Sequence, residues 1–409
     1  MAGAVIVTLA DSEPVPPKLT YVELFLRFLR FGVLAFGGPV AQIAMIRREL
    51  VDEEPWMSSG YFNRLLAVLQ VLPGPEAHEL CVHMGIRAKG RMGGILAGLG
   101  FMLPGFVLML GIGWAYVTFS SLVAVLAGAF LGVQTAVVAI IVRAVQKIGA
   151  HILEDRWLWG IAIAGAVATL FSVAFWIVLI AAGVSYSLIK AGRRWWALAP
   201  LAAALALAFL LASQPDGQTV VEGLATGSST APSFLSMFWT GLMAGLLTFG
   251  GAYTAIPYVR ADTVGRGLLD DGQFLDGMAF AGVIPAPLVI FITFVGFVVG
   301  GWTGAFAMTA GMFLPAFAFS LIFYERLEAA VADARLHNIL AGVAAAVVGI
   351  IATTSLDLGW NTLQRVPSIP VAIAIFTAAL LAVWFWKSRY AIVVILIAAS
   401  IGGWILFRQ

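Results

Sequence analysis

The chain has 409 residues, 61% of them hydrophobic and only 11% charged, and its 23 Lys and Arg against 21 Asp and Glu leave it nearly neutral. That balance excludes a water-soluble globular domain, and with the basic residues scattered through loops it excludes a surface for nucleic acid. A single cysteine, Cys81, excludes an internal disulfide and a multi-cysteine metal site, and in its apolar context it reads as a small buried side chain.

Residues 1–20 show no basic stretch ahead of the short apolar run Ala4 to Ala10, and the acidic, Pro-rich segment Asp11 to Pro17 follows, so they are expected to form a cytoplasmic tail rather than a secretory signal. Beyond them, apolar runs of about 20 residues recur, the length that crosses roughly 30 Å of hydrocarbon. They fall near 21–47, 60–87, 92–116, 122–143, 157–171, 173–190, 195–213, 233–259, 273–299, 302–324, 337–355, 369–386 and 390–407, which makes 13 candidate spans. The runs lack the alternation of barrel strands, and lipid offers no partner to a free peptide group. The expected fold is therefore an all-α polytopic membrane protein of the inner membrane.

The first run carries Arg27 and Arg30, is interrupted by Phe36-Gly37-Gly38-Pro39, and ends near Arg47 and Glu49. The second is interrupted by Pro73-Gly74-Pro75 and continues into Glu76, His78, Glu79 and His83. Steps of three and four place Glu76, Glu79 and His83 on one helix face. Ionisable groups inside a membrane usually mark a coupling or substrate pathway, which makes these three candidates for proton exchange, while helix capping by Glu76 and an interhelical bond from His83 are the plainer readings. His78 and His83, five apart, are misaligned for a shared metal, and no further ligand is evident. The longest polar interruption, residues 214–232, reads as a linker between a first repeat, 21–213, and a second, 233–409.

The second half repeats the first. Phe36-Gly37-Gly38 answers Phe249-Gly250-Gly251, Pro73-Gly74-Pro75 answers Pro285-Ala286-Pro287, Leu103-Pro104-Gly105-Phe106 answers Leu314-Pro315-Ala316-Phe317, and Ala136 to Ile141 answers Ala346 to Ile351, in the same order, with an offset drifting from 213 to 210. Seven spans ahead of the second copy would insert it upside down, the inverted arrangement common in secondary transporters. The loop charges agree: Arg87, Lys89 and Arg91 follow the second span, whereas the counterpart around Gly300 to Gly304 has none. With the N-terminus inside, only Arg47, Arg48, Arg64, Arg365 and Arg408 would lie outside.

Each Gly/Pro interruption is expected to break its helix and to leave backbone lining a protected pathway. A helix restarting there offers N–H groups at its positive end, an arrangement suited to a small anion. The substrate is thus expected among Phe36, Gly37, Gly38, Pro73, Gly74, Pro75, Phe249, Gly250, Gly251, Pro285, Ala286 and Pro287, helped by Arg30, which lies about 9 Å along the helix from Phe36. Arg47 with Glu49, and Arg260 with Asp262, occupy matching positions and are candidate gates at opposite mouths, or else loop-end ion pairs. No Walker motif, nucleophile elbow or dinucleotide fingerprint occurs, so neither an enzyme nor a cofactor is expected, and transport would draw on a gradient.

These motifs together, Phe36-Gly37-Gly38-Pro39 with Arg47-Arg48-Glu49, then Gln70-Val71-Leu72-Pro73-Gly74-Pro75, then Gly100 to Gly105, and their echoes Thr248 to Gly251, Ile256-Pro257 and Pro285-Ala286-Pro287, resemble the long-chain chromate transporter (CHR) family over about residues 20–405. Many members carry small polar residues where this chain has Glu76-Ala77-His78-Glu79, and Pro-Ala-Pro replaces Pro-Gly-Pro in the second repeat. The resemblance implies a transporter that exports chromate, a divalent tetrahedral oxyanion, and the ionisable groups after Pro75, with the paired breaks and Arg30, add the expectation of proton antiport. Sulfate uptake is the runner-up within that class, and an anion channel or a lipid-handling protein is the alternative outside it. The expected partners are chromate or sulfate, protons and the lipid bilayer, with a homodimer left open and no nucleic acid.

Overall fold

The structure, a computed structural model, describes residues 14–407 apart from 70–71, 172, 174, 194, 198, 201, 204–231, 249–251, 323–333 and 387. Most of the expected tail, span 195–213 and linker 214–232, together with Phe249, Gly250 and Gly251, lie outside the described residues.

Every regular element among the described residues is a helix or a helical turn. The first half has α1 (Tyr21–Val33), α2 (Gly38–Arg47) running into a π turn (Arg48–Glu53), α3 (Ser59–Leu69), α4 (Glu76–Thr118), α5 (Ser120–Val125), α6 (Ala127–Ile152), α7 (Arg156–Leu170) and α8 (Phe175–Lys190). The second half has α9 (Phe234–Leu246), a 3-10 turn (Ala252–Ala255), α10 (Ile256–Thr263), α11 (Asp271–Val283), a second 3-10 turn (Leu288–Ile290), α12 (Phe291–Ile322), α13 (Ala334–Arg365), α14 (Ile369–Phe385) and α15 (Ala391–Leu406). Both halves start alike. Thr20 caps α1 in a reciprocal box with Glu23, and Ser233 caps α9 by accepting from the Ser236 N–H.

Helix α4 is two helices. Lys89 and Gly90 leave helical conformation, and Gly85 lies so close to Gly93 that a side chain on it would strike the Gly93 carbonyl. A continuous helix would hold those two residues about 12 Å apart. The chain therefore reverses at Gly90, whose φ is +61°, and α4a (76–88) runs antiparallel to α4b (91–118). In α12 the breaks at Gly300 and Gly301 and the contact of Gly296 with Gly304 make the same reversal between α12a (291–299) and α12b (302–322).

The runs 21–47 and 60–87 were expected to be broken membrane spans, and the structure corrects this. In one broken span Glu49 would lie about 28 Å beyond Arg30. Instead, Arg30 Nη1 donates to Glu49 Oε1 at 2.7 Å and Arg27 Nη2 to Glu54 Oε1 at 2.5 Å, so α2 returns to the face where α1 began. The pair α3 and α4a folds back likewise, with the Arg87 guanidinium 5.1 Å over the Tyr61 ring and its Nε donating to the Trp56 carbonyl at 3.0 Å. In the second half the Thr240 hydroxyl donates to Asp262, Arg260 binds Asp271 at 2.7 Å, and Met237 packs on Gly300, which brings both ends of both helix pairs to one face. Runs 233–259 and 273–299 are thus corrected in the same way. At the first turn Gly37 and Gly38 are both left-handed, at φ +90° and +78°, a backbone that permits the chain to reverse, and the ion pairs between α1 and the end of α2 hold it reversed.

Each half therefore opens with two helical hairpins, followed by longer helices. Among the described residues, the stretches long and apolar enough to cross a membrane are Glu76–Thr118, Ala127–Ile152, Leu288–Ile322 and Asn338–Arg365. The first hairpins pack on α4b through the buried rings Phe28, Phe31, Trp56, Phe62 and Phe101. On the outside, Val107, Ile163, Ile180, Ile373 and Ile397 are exposed, a surface whose natural solvent is hydrocarbon.

The halves are interleaved. Equivalent helices α4b and α12b run antiparallel, with Gly94 beside Leu321, Gly98 beside Phe317 and the Phe106 ring 5.2 Å from Phe306. Equivalent contacts recur within each half, where Gly32 meets Pro104 as Gly245 meets Pro315, and others are exchanged between the halves, where Gly132 meets Ala399 as Gly342 meets Ala182. Accordingly α6 packs against α14 and α15, while α13 packs against α7 and α8.

Candidate functional site at the hairpin tips

The Gly/Pro interruptions at 37–39, 73–75 and 285–287 coincide with helix ends, and these tips, with Thr248 at the end of α9, converge from opposite faces. Tip one, residues 34–37, sits beside Pro104, midway along α4b, because Gly32 packs on the Pro104 ring. Tip four carries Ala286, which lies against Gly105 one residue further, and Gly74 of tip two lies against Ala316 of α12b. Each Leu-Pro-Gly/Ala-Phe motif is thus the seat of a tip from the other half.

Backbone hydrogen bonds join the tips directly. The Gly74 N–H of tip two donates to the Thr248 carbonyl of tip three at 2.8 Å. At the equivalent place in the other half, a side chain stands in: Gln42 Nε2 donates to the Ala35 carbonyl at 2.8 Å and to the Ala286 carbonyl at 3.0 Å. Gln42 is 1% exposed, and its Oε1 has no hydrogen-bond partner among the described residues.

The helices that restart at the tips differ in charge. Helix α2 begins at Gly38 behind a left-handed Gly37 and has no acidic residue in its first turn, so its N-terminal positive end is uncompensated. Helix α4a begins with Glu76 and Glu79 in its first turn. Gly37 also touches the backbone of Arg389 in the α14–α15 connection, with a Cβ built there 2.8 Å from the Arg389 carbonyl oxygen. The Arg389 guanidinium lies 4.7 Å over the Tyr390 ring, and that ring lies 5.9 Å from Phe36. A cation thus lies over a ring that itself leans, tilted by 56°, on Phe36 of tip one.

Of the sequence-derived residues, the tips bring together Phe36, Gly37, Gly38, Pro73, Gly74, Pro75, Pro285, Ala286 and Pro287, with Glu76 and Glu79 immediately beneath. Glu79 is fully buried under Gly74, and neither of its carboxyl oxygens has a hydrogen-bond partner among the described residues. His83 is farther along α4a, its Nε2 3.5 Å from the Tyr61 hydroxyl. His78 is wedged between Phe313 and Phe317 of the other half, with ring centres at 4.9 and 4.7 Å.

Other expected residues stand elsewhere. Arg30 is engaged with Glu49 near the hairpin mouth, not at the tip. Arg47 and Glu49 do not pair: Arg47 reaches Asn63 at 3.4 Å, while Glu49 accepts from Arg30 and lies 3.6 Å from Arg27. Nor do Arg260 and Asp262, since Arg260 takes Asp271 and Asp262 takes Thr240 and, at 3.5 Å, Arg266. The Arg27 hydrogen bond also holds the Glu54 carboxyl below its usual range. Glu49 and Asp262 nonetheless sit at opposite ends of the molecule, each against the first helix of its own half.

Two residues at the tips escaped the sequence reading. Gln42 was legible as a polar side chain in an apolar stretch just after a break, where the second half has Ala255. Arg389 carried no local signal, because its position depends on a contact between segments about 350 residues apart.

The fold and its outer surface define a polytopic helical membrane protein with hairpin tips meeting in its interior. Residues 22–188 and 235–404 each match the family described as chromate transporter, and the chain belongs to that family. It is 59% identical over 400 residues to a chromate transport protein of Pseudomonas aeruginosa, covering 97% of this chain and 95% of that one. Similarity extends to a chromate transport protein of Cupriavidus metallidurans, 31% identical with 91% of each chain covered. A probable chromate transport protein of Synechococcus elongatus is 30% identical, with 97% of this chain and 98% of that one covered. No solved structure matches the chain.

Proposed function

We propose that the protein exports chromate from the cytoplasm through a site between the opposed hairpin tips, by alternating access coupled to inward proton movement. The observation that carries this reading is the junction of tips from opposite halves, Gly74 N–H to Thr248 and Gln42 to Ala35 and Ala286. Backbone that has left its helix at membrane depth is tolerated where it is buried in protein or lines a pathway, and two such junctions facing opposite ways supply one gate for each side. The substrate follows from family membership and from the chromate transport proteins that the chain resembles.

In this reading the dianion rests at the N-terminal end of α2, on the N–H groups of Gly37 and Gly38, with Arg389 completing the charge. Helix α4a is unsuited to that task because Glu76 already occupies its positive end. Glu76 and Glu79 instead carry protons beside the anion. Arg30 serves at the mouth, where the Arg27, Arg30 and Glu49 cluster lies on the path from the cytoplasm.

The two repeats, 21–213 and 233–409, are inserted antiparallel, as supported by the direction of α4b against α12b and by the exchanged contacts. Lys190 and Ser233 lie at opposite ends of the molecule, a separation that the expected span 195–213 would connect. The hairpins also sharpen the charge bias: Arg47, Arg48 and Arg64 move to the side of Lys89, while Arg260 and Arg266 move away from it. The N-terminus in the cytoplasm of a bacterial inner membrane remains the orientation that this bias favours.

Chromate counterflow in proteoliposomes, competed by sulfate and molybdate and repeated across a pH jump, tests the proposal. Saturable flux that favours chromate and responds to the pH gradient is expected. Unsaturable flux would point to a channel, and equal competition by sulfate would remove the substrate assignment.

A further inference from the structure

We infer that Asp276 is a second proton-carrying site, reached from the face on which the second half's hairpins open, with Gln134 as its positioning residue. This rests on the proton-coupled reading above and adds a site that none of the sequence motifs indicated.

A cavity of about 420 Å³ lies between the ends of α4b and α13 and the starts of α6 and α11, lined by Tyr116, Phe130, Gln134, Gln273, Asp276 and Arg365 among others. At its floor Asp276 is 3% exposed and Gln134 2% exposed. The Tyr116 hydroxyl donates to Asp276 Oδ2 at 2.9 Å, and Gln134 Nε2 donates to Asp276 Oδ1 at 2.7 Å. A longer contact of 3.4 Å runs from Gln134 Nε2 to the Gly272 carbonyl. Gln134 Oε1, on the same buried amide, has no partner among the described residues.

That unpartnered acceptor says what the site takes. With both carboxylate oxygens already facing protein donors, a metal cation would have to displace an N–H and an O–H to coordinate them. A proton needs one local change. It adds to Asp276 Oδ1 from cavity water, the Gln134 amide turns over, and Oε1 accepts the new O–H; deprotonation reverses the turn and returns the proton to water. The charged and titratable groups around Asp276 are Tyr116 on α4b, Asp270 on the approach to α11 and Arg365 on α13, with neutral Gln134 on α6 and Gln273 on α11. The equivalent position in the first half is Arg64, so the site is confined to one half.

The test uses the full chain in proteoliposomes and compares chromate accumulation driven by a pH gradient with chromate exchange at equal pH. In Asp276→Asn the ratio of the first to the second is expected to fall at least tenfold. An unchanged ratio overturns the inference, whereas a wild type that ignores the pH gradient overturns the coupling reading beneath it. Tyr116→Phe keeps the ring packing and removes one donor to the carboxylate, so the midpoint of the pH profile should move alkaline by on the order of one unit. An unmoved midpoint would also overturn the inference. Infrared difference spectra on acidification provide a readout independent of transport: with Glu76 and Glu79 both replaced by Gln, a protonated-carboxyl band that is present in that background and persists when Asp276→Asn is added would assign that proton elsewhere and sink the proposal.

Discussion

At the scale of single residues, the tips depend on one side chain that is neither charged nor part of a motif. Gln42 joins tips one and four, donating to the Ala35 and Ala286 carbonyls, and among the described residues neither carbonyl has another hydrogen-bond donor. Gln42→Leu keeps the size and deletes the amide, leaving Ala35 and Ala286 short of a donor at about 1–3 kcal/mol for each buried group. The expected result is a lower melting temperature in detergent together with at least a tenfold loss of chromate exchange; unchanged exchange would show that the junction is not a gate. Glu79 is predicted to behave in the opposite sense. Its carboxyl is buried without a hydrogen bond, a costly setting for a charge. Glu79→Gln removes any charge from that place, so thermal stability should hold or rise while accumulation driven by a pH gradient is lost. A variant that still accumulates chromate against the gradient would release Glu79 from proton coupling.

At the scale of elements, the sequence located the breaks at 37–39, 73–75 and 285–287 but misjudged what a break does. Periodicity and Gly/Pro placement were enough to end α1 before Phe36 and α3 before Pro73, and to separate 60–87 from 92–116. They could not tell a kink from a reversal, because a 13-residue and a 10-residue helix joined by residues 34–37 read, as a string, like one interrupted span of membrane length. What decides the matter is tertiary: the Arg27, Arg30, Glu49 and Glu54 cluster holds the far end of α2 at the mouth of α1. The same limit explains the gates, where neighbours in sequence were taken as partners: Glu49 and Asp262 are bound by the first helix of their own hairpin, whereas Arg47 and Arg260 reach Asn63 and Asp271 of the next one. Labelling distinguishes the two geometries. With Cys81 replaced by Ser, single cysteines at Lys18 and at Asp52 should react with a membrane-impermeant maleimide from the same side of sealed vesicles. Reaction from opposite sides would restore the spanning reading.

At the scale of the whole molecule, the exchanged packing makes each half an incomplete object. Helix α6 places Gly128 and Gly132 against Gly403 and Ala399 of the other half, and α13 places Gly342 and Gly349 against Ala182 and Ala162, backbone-to-backbone approaches that no lipid chain can copy. Separating the halves would also orphan the Gly74 N–H and the Ala286 carbonyl at membrane depth, where an unpaired peptide group costs several kcal/mol. The sequence repeat invites the view of two autonomous domains joined by a linker, and the interleaving argues against it. The prediction is that residues 1–203, expressed alone, aggregate or are degraded, whereas co-expression with residues 232–409 yields a complex that co-purifies through a tag on either part and binds chromate. A first half that is monodisperse alone, with a melting temperature like that of the intact chain, would mean that the exchanged contacts contribute little and that the tips are held by their own half.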